Sequence, residues 1–362
     1  MGSRIKLLRN WLIEAVLIIE RQLPLGAPRP FSHRNEISDS RGFHLASSKY
    51  SKVGRQLSKK YKIAYLETHP GAGRFARFIK KKQIEEVAGF ADLVVVATRA
   101  EWEAVVLKGV PVVEMEAESR ELLNSPLARK KLATKQFREF ALNKFAKQGK
   151  NFPLLSVIVS TKRPEQIAHV REQFDRQTYP NKELIILTHG YKAEGALYEP
   201  KTSPLGYCLN RLITASKGDF IAKFDDDDFY LDNYLLDQFL NLSIRNVDIV
   251  GKAANYLYFS DKNVIALRRC ESANQLTDFV AGATLMGRRE IFEQHPFREL
   301  GKGEDSAFLK DIRLSNVQIY STDPFNFLVV RHGRHTWEVA DTVLAQSAVI
   351  ETYGLNLPHV EI

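Results

Sequence analysis

Cysteine is scarce in this chain of 362 residues: Cys208 and Cys270 are the only two, far apart and outside any CxxC spacing. That excludes a disulfide framework and a cysteine zinc site, and it suits a reducing, cytoplasmic setting. Long apolar runs are lacking too. The segment "IKLLRNWLIEAVLIIERQLPL" is broken by Arg9, Glu14 and Glu20, so it falls short of the roughly 18 uncharged residues that a membrane span requires. Neither a complete GxGxxG nor a P-loop occurs, which removes the two common glycine-rich phosphate cradles.

Charge of one sign is short in the first part of the chain. Residues 1–150 carry 29 Lys and Arg against 15 Asp and Glu, whereas residues 151–362 carry 23 against 28. The first part is therefore about +14 and the second about −5. Such a split suits an anionic partner, such as a membrane surface or a phosphate-rich or acidic polymer, and equally a set of solvated helix faces. A nucleic-acid partner is not expected.

Within 1–23, Ile5, Leu8, Trp11, Leu12, Ala15, Val16, Ile19 and Leu23 recur at helical spacing. This predicts an amphipathic helix that packs on its own protein or lies peripherally at the inner face of a membrane. Residues 24–60, rich in Pro, Ser, Arg and Lys, read as a connector. Over 61–150, strands at 61–68, 91–98 and 110–115 alternate with helices at 74–90 and 99–109, and a basic linker helix follows from Ser125. That order predicts a small Rossmann-like α/β domain. Its turn "HPGAGR" reads as a tight strand-to-helix connection rather than a nucleotide site.

A second domain is expected over 151–340, ahead of a C-terminal helix and tail at 341–362. Its strands at 154–160, 183–189 and 220–224 alternate with helices at 165–177 and 204–216, the pattern of a mostly parallel central sheet whose carboxyl edge binds ligands. At that edge stands "FDDDDFY", with Asp225, Asp226, Asp227 and Asp228 in succession. Neighbouring carboxylates repel, and a hard cation held by oxygen ligands, Mn2+ or Mg2+, relieves the repulsion.

Five segments in order carry a resemblance: "LLSVIVSTKRPEQIAHVREQFDRQTYPNKELIILTHG", "LGYCLNRLITASKGDFIAKFDDDDFY", "VAGATLMGRREIF", "GKGEDSAF" and "FNFLVVRHGRHTW". Over about residues 152–337 the chain resembles the family 2 glycosyltransferases with a GT-A, nucleotide-diphospho-sugar transferase, fold. The resemblance implies an inverting, metal-dependent transfer of sugar from a nucleoside-diphosphate donor, a UDP-sugar first, to a glycan, lipid-linked or cell-surface polymer acceptor, as in polysaccharide biosynthesis.

Residue by residue, it puts Thr161, Arg163 and Pro164 against the nucleotide. Thr188 lies at a strand end where the family usually has an acid, and here Thr188, His189 and Gly190 depart from that pattern. Asp227 is the first metal ligand implied, with Asp225 or Asp226 assisting through the ribose or a metal-bound water, while Asp228 is structural. Asp305 is the implied catalytic base and Glu304 its alternative. Among Arg331, His332, Arg334 and His335, Arg331 falls to the diphosphate and His332 to the metal. Gly282 and Ala283 imply close approach of donor sugar or acceptor. Two other readings compete: a nucleotidyltransferase acting on a sugar phosphate, and a non-catalytic glycan-binding module.

Overall fold

The computed structural model describes residues 126–332, Leu344 and 348–362, together with the backbone of five short strands N-terminal to them. The chain forms two compact units, Met1–Glu139 and Phe140–Ile362. This division lies somewhat upstream of the residue-150 boundary that the sequence suggests.

In the first unit, β1 (Val16–Glu20), β2 (Gly42–Leu45), β3 (Ile63–Glu67), β4 (Leu93–Val96) and β5 (Val112–Glu114) form one sheet in the order β2-β1-β3-β4-β5. β3, β4 and β5 run parallel, and β1 is antiparallel to both β2 and β3. The helix expected over 1–23 is corrected in part: Val16–Glu20, sequence VLIIE, is a strand. Val and Ile favour a pleated surface, and pairing on both edges outweighs the helical spacing. The connector 24–60 likewise contributes β2. The helices expected at 74–90 and 99–109 lie outside the described residues, as do Arg334 and His335.

The second unit begins within α1 (Pro126–Ala146). It continues through β6 (Leu155–Thr161), α2 (Ile167–Asp175), β7 (Lys182–His189), β8 (Leu197–Glu199), α3 (Leu205–Ala215) and β9 (Phe220–Phe224). Then come β10 (Phe229–Tyr230), α4 (Tyr234–Arg245), β11 (Ile249–Gly251), β12 (Asn255–Phe259), β13 (Val264–Arg268) and β14 (Gln275–Leu276). β15 (Met286–Arg288), α5 (Arg289–Gln294), α6 (Glu304–Arg313), β16 (Ile319–Ser321), β17 (Phe327–Arg331), β18 (Ala348–Tyr353) and α7 (Leu357–Val360) complete it.

An eight-stranded sheet has the order β14-β16-β11-β15-β9-β6-β7-β8. Its β9-β6-β7-β8 half is parallel, as the alternation of strands and helices predicts. β15 enters antiparallel to both β9 and β11, and β14 is antiparallel to β16. β11 and β16 pair in parallel and run with β9, so the sheet is mostly parallel as expected, with β15 and β14 the two reversed strands.

A second sheet, β10-β17-β12-β13-β18, takes its edge strand from the C-terminal region. Within the helix and tail expected over 341–362, the described residues form β18 and the short α7. The chain end is anchored, since Asn326 N–H donates to Val360 O and Ile362 N–H to Asn326 Oδ1. Among the described residues no helix is long and apolar enough to cross a membrane.

α3 shows why the frame is firm. Cys208, Leu209, Leu212 and Ile213 make one apolar stripe, and they join Ile158, Leu187, Ile221, Phe292, Phe308 and Ile312 in a core between the sheet and α3, α5 and α6. Aromatic rings fill another cluster, where Phe239 meets Phe145, Phe152, Tyr179 and Phe220 at centroid distances of 5.2 to 5.7 Å. Burial of such side chains contributes about 1.5–3 kcal/mol each. It fixes the strand ends on which the polar residues stand.

Candidate active site

Parallel pairing of β6 with β9 aligns Val159 with Phe224. The loops that follow, Lys162–Pro164 and Asp225–Asp228, therefore leave the sheet side by side. Thr161 Oγ1 donates to Asp226, and it accepts the Arg163 N–H at 3.0 Å, which turns the chain sharply before Pro164 opens a short 3-10 turn. The turn aims the Arg163 guanidinium at the acidic run. It binds both oxygens of Asp226, with Nε to Oδ2 at 3.1 Å, and its Nη2 lies 2.9 Å from Asp227 Oδ2.

From the other side, β17 delivers His332, whose Nε2 is also 2.9 Å from Asp227 Oδ2. Burial alone would lower the Arg163 pKa, but Asp226 and then Asp227 outweigh it and raise it above the usual arginine range. Arg331, one residue earlier, is buried, and its carbonyl accepts from Ser260 N–H at 3.0 Å.

The first aspartate faces elsewhere. Asp225 Oδ1 accepts from Lys223 Nζ at 2.8 Å, and the same ammonium reaches Asp305 Oδ2 at 3.2 Å. Lys223 belongs to β9, every residue of which is buried. Desolvation opposes its charge, yet Asp225 and Asp305 more than compensate and raise its pKa. Asp305 and Glu304 open α6, where the helix N-terminus favours negative charge. Gly303 precedes them at φ +81°, a left-handed cap that a side chain would strain.

Burial pushes the Asp305 carboxyl above the ordinary aspartate range, an effect partly offset by Lys223. Burial, followed by the charge of Asp305, raises Glu304 to about 7. Glu304 thus changes protonation near neutrality, beside an Asp305 carboxyl that burial also shifts upward.

Gly282 explains how Asp305 fits. A Cβ at that position would stand 1.8 Å from Asp305 Oδ2. The absent side chain makes room for the carboxylate itself, where the sequence suggests room for sugar or acceptor. Tyr230 ties the same region together, because its hydroxyl accepts from Asp225 N–H at 2.8 Å and donates to Ala283 O at 2.9 Å. Its ring stacks on Phe224 at 3.6 Å.

Asp228 is structural, as expected: it is buried, and its Oδ1 accepts from Val330 N–H at 3.1 Å. Burial, then the charges of Asp227 and Asp225, raise its pKa. Thr188 turns inward, donating to Tyr191 O at 2.6 Å and Leu197 O at 3.1 Å, so its hydroxyl holds the loop after β7. Beside it, His189 is lowered to about 4, chiefly by burial and then by Lys162, and presents a neutral imidazole bonded to Ser160.

Carboxylate and imidazole donors have the chemistry of a divalent-cation site, but their arrangement does not form one. Asp227 is directed at Arg163 and His332, and Asp225 at Lys223. Among the described residues no three His, Cys, Asp or Glu side chains are grouped so as to hold a metal. Here protein cations neutralise the acidic run.

Two residues at the centre escaped the sequence reading. Lys223 lies in an apolar strand, and its one signal was a charge inside "FIAKF" two positions before the first aspartate. Tyr230 offered no signal beyond its closeness to the run.

No family model and no curated protein sequence matches the chain. Among solved structures it is similar to S. aureus TarS 1–349 in complex with UDP, at 16% identity over 49% of this chain and 60% of that one, with a TM-score of 0.41. A TarS 1–349 complex with UDP-GlcNAc gives 16% identity over 53% and 64%, TM-score 0.41. The mannosyltransferase PcManGT from Pyrobaculum calidifontis, in complex with GDP-Man and Mn2+, gives 14% over 56% and 67%, TM-score 0.40. The chain spans about three fifths of the TarS 1–349 chain with UDP.

Proposed function

We propose that this chain is an inverting glycosyltransferase of the GT-A type, moving a sugar from a nucleoside-diphosphate donor, a UDP-sugar first, to a glycan, lipid-linked or cell-surface polymer acceptor. The observation that carries the reading is the convergence of Asp225 and Asp305, from distant parts of the chain, on one buried lysine at the carboxyl edge of the sheet. Beside them the Thr161–Pro164 turn, Asp226 and Arg163 form the proposed polar floor for the nucleotide, while the Thr188 hydroxyl is taken by the loop after β7.

In the transfer, Asp305 accepts the proton of the acceptor hydroxyl while that oxygen attacks the anomeric carbon. The bond to the diphosphate oxygen breaks on the opposite face, the configuration inverts, and the nucleoside diphosphate leaves with the electron pair. Glu304, with its proton equilibrium near 7, is the alternative acceptor of that proton. Mn2+ or Mg2+ at Asp225, Asp227 and His332 would require those groups to turn away from Lys223 and Arg163. The positive balance of residues 1–150 favours an anionic acceptor.

The test is the thermal midpoint with UDP, GDP and CDP, each with and without Mn2+, since a ligand of the folded state raises it. One preferred nucleotide is expected, and Asp305→Asn is expected to keep that shift while transfer falls by about 10²–10⁴-fold. Silence towards all three nucleotides would sink the reading. A preserved turnover in Asp305→Asn would remove that residue as base.

A further inference from the structure

We propose that Lys223 is a positioning residue that locks the candidate base Asp305 and the donor-side Asp225 into one fixed geometry. The inference rests on the glycosyltransferase reading above and adds to it a residue that touches neither donor nor acceptor.

A lysine inside a wholly buried strand is unfavourable unless its charge is matched. Lys223 is matched twice, by Asp225 at 2.8 Å and Asp305 at 3.2 Å. Its backbone cannot shift to follow either partner, because β9 is paired on both edges and Lys223 N–H donates to Leu285 O at 2.9 Å. Asp305 is confined on another side by Gly282, whose Cα leaves no space for even a methyl group. Its Oδ1 is buried with no direct hydrogen-bond partner, so Lys223 on Oδ2, beside the neighbouring Glu304 carboxyl, orients the carboxylate.

The contacts close into a ring. Lys223 holds Asp225, Asp225 N–H donates to Tyr230, Tyr230 donates to Ala283 O, and the Gly282 turn packs against Asp305, which returns to Lys223. The acidic loop after β9, the turn before β15 and the N-terminus of α6 are thereby held in register. Donor and acceptor bound to opposite arms of the ring meet at a set distance, and small misplacement of reacting groups lowers a rate by about 10²-fold.

The experiment compares Lys223→Met, Lys223→Arg, Tyr230→Phe and Lys223→Met/Asp305→Asn with the wild-type chain, reading kcat, donor KM and the nucleotide-induced thermal shift. Expected for Lys223→Met is a kcat about 100-fold down with donor KM within about threefold of wild type. Lys223→Arg should recover part of that loss, and the double variant should be no slower than Asp305→Asn alone, since the two act as one unit. If Lys223→Met fails to fold, Tyr230→Phe still breaks the ring while keeping its aromatic stack, and should lower kcat about tenfold at unchanged donor KM.

Undiminished kcat in Lys223→Met or in Tyr230→Phe, or additive losses in the double variant, would overturn the inference while leaving the glycosyltransferase reading standing. A wild-type chain with neither nucleotide shift nor transfer would overturn both.

Discussion

The four consecutive aspartates divide between two clusters of different character. Asp225 joins Lys223 and Asp305, with a lysine side chain only 5% exposed at the centre. Asp226 and Asp227 join Arg163 and His332, whose side chains are 27% and 28% exposed. The first cluster stands on a central strand and a helix N-terminus, the second on loops. In the first a buried cation holds more open acids, Asp225 at 44% and Asp305 at 24% exposed, whereas in the second buried acids, Asp226 at 10% and Asp227 at 13%, sit under part-exposed cations. The first arrangement suits fixing a base by its cation, and the second suits cations that turn to meet a nucleotide. Adjacent residues of one type thus acquire separate tasks because successive side chains leave a strand end in different directions.

The sharpest way to break this division is Gly282→Ala. Its methyl group would displace the Asp305 carboxylate, so transfer should fall about 100-fold while nucleotide binding, read by calorimetry, stays near wild type. Overpacking at the buried turn should also lower stability by about 1–3 kcal/mol in denaturant titration. Equal loss of binding and turnover would show that the two clusters are one site.

Arg163→Ala probes the other side. Removing the guanidinium should weaken nucleotide binding about tenfold, in line with a lost charge-assisted hydrogen bond of about 1.5–3 kcal/mol. Turnover at saturating donor should change less than in Gly282→Ala. Nucleotide affinity left intact would take Arg163 out of the donor site.

The smallest effect belongs to Glu304. Its folded-state pKa is raised to about 7 by burial and the charge of Asp305, above the ordinary value for a glutamate in the unfolded chain. The folded state binds the proton more tightly, so this contribution is fully present below about pH 4.3 and is lost as pH rises through about 7. Wild type should therefore lose several degrees of thermal midpoint relative to Glu304→Gln between pH 5 and pH 8. A pH-independent difference would show that Glu304 does not titrate there.

Much of the second unit was legible. The strands at Leu155–Thr161, Lys182–His189 and Phe220–Phe224 and the helix Leu205–Ala215 were visible as apolar runs closed by Gly, Pro and Asp. The small-residue loop at 279–288 signals a strand at its end, but the reversed direction of Met286–Arg288 was not legible, since direction depends on which edge remains open. Val16–Glu20 was misread because Val and Ile recurring in a short segment satisfy helical and strand patterns alike. Arg163, Asp225, Asp226, Asp227, Asp305 and His332 are the candidates the resemblance implies, and the structure brings them to one edge of the sheet in two clusters. Which partner each takes was invisible: the aspartates serve Arg163 and Lys223, and Thr188 serves a loop.

By itself, then, the sequence determined the local elements and the acidic run at a strand end, which follow from side-chain type and spacing over short range, while the candidate residues are those the resemblance implies. Only the tertiary structure decided that a lysine inside β9 would bind Asp225 together with Asp305, and that Gly282 would make room for a carboxylate. Those outcomes depend on distances between segments far apart in the chain, and packing sets such distances.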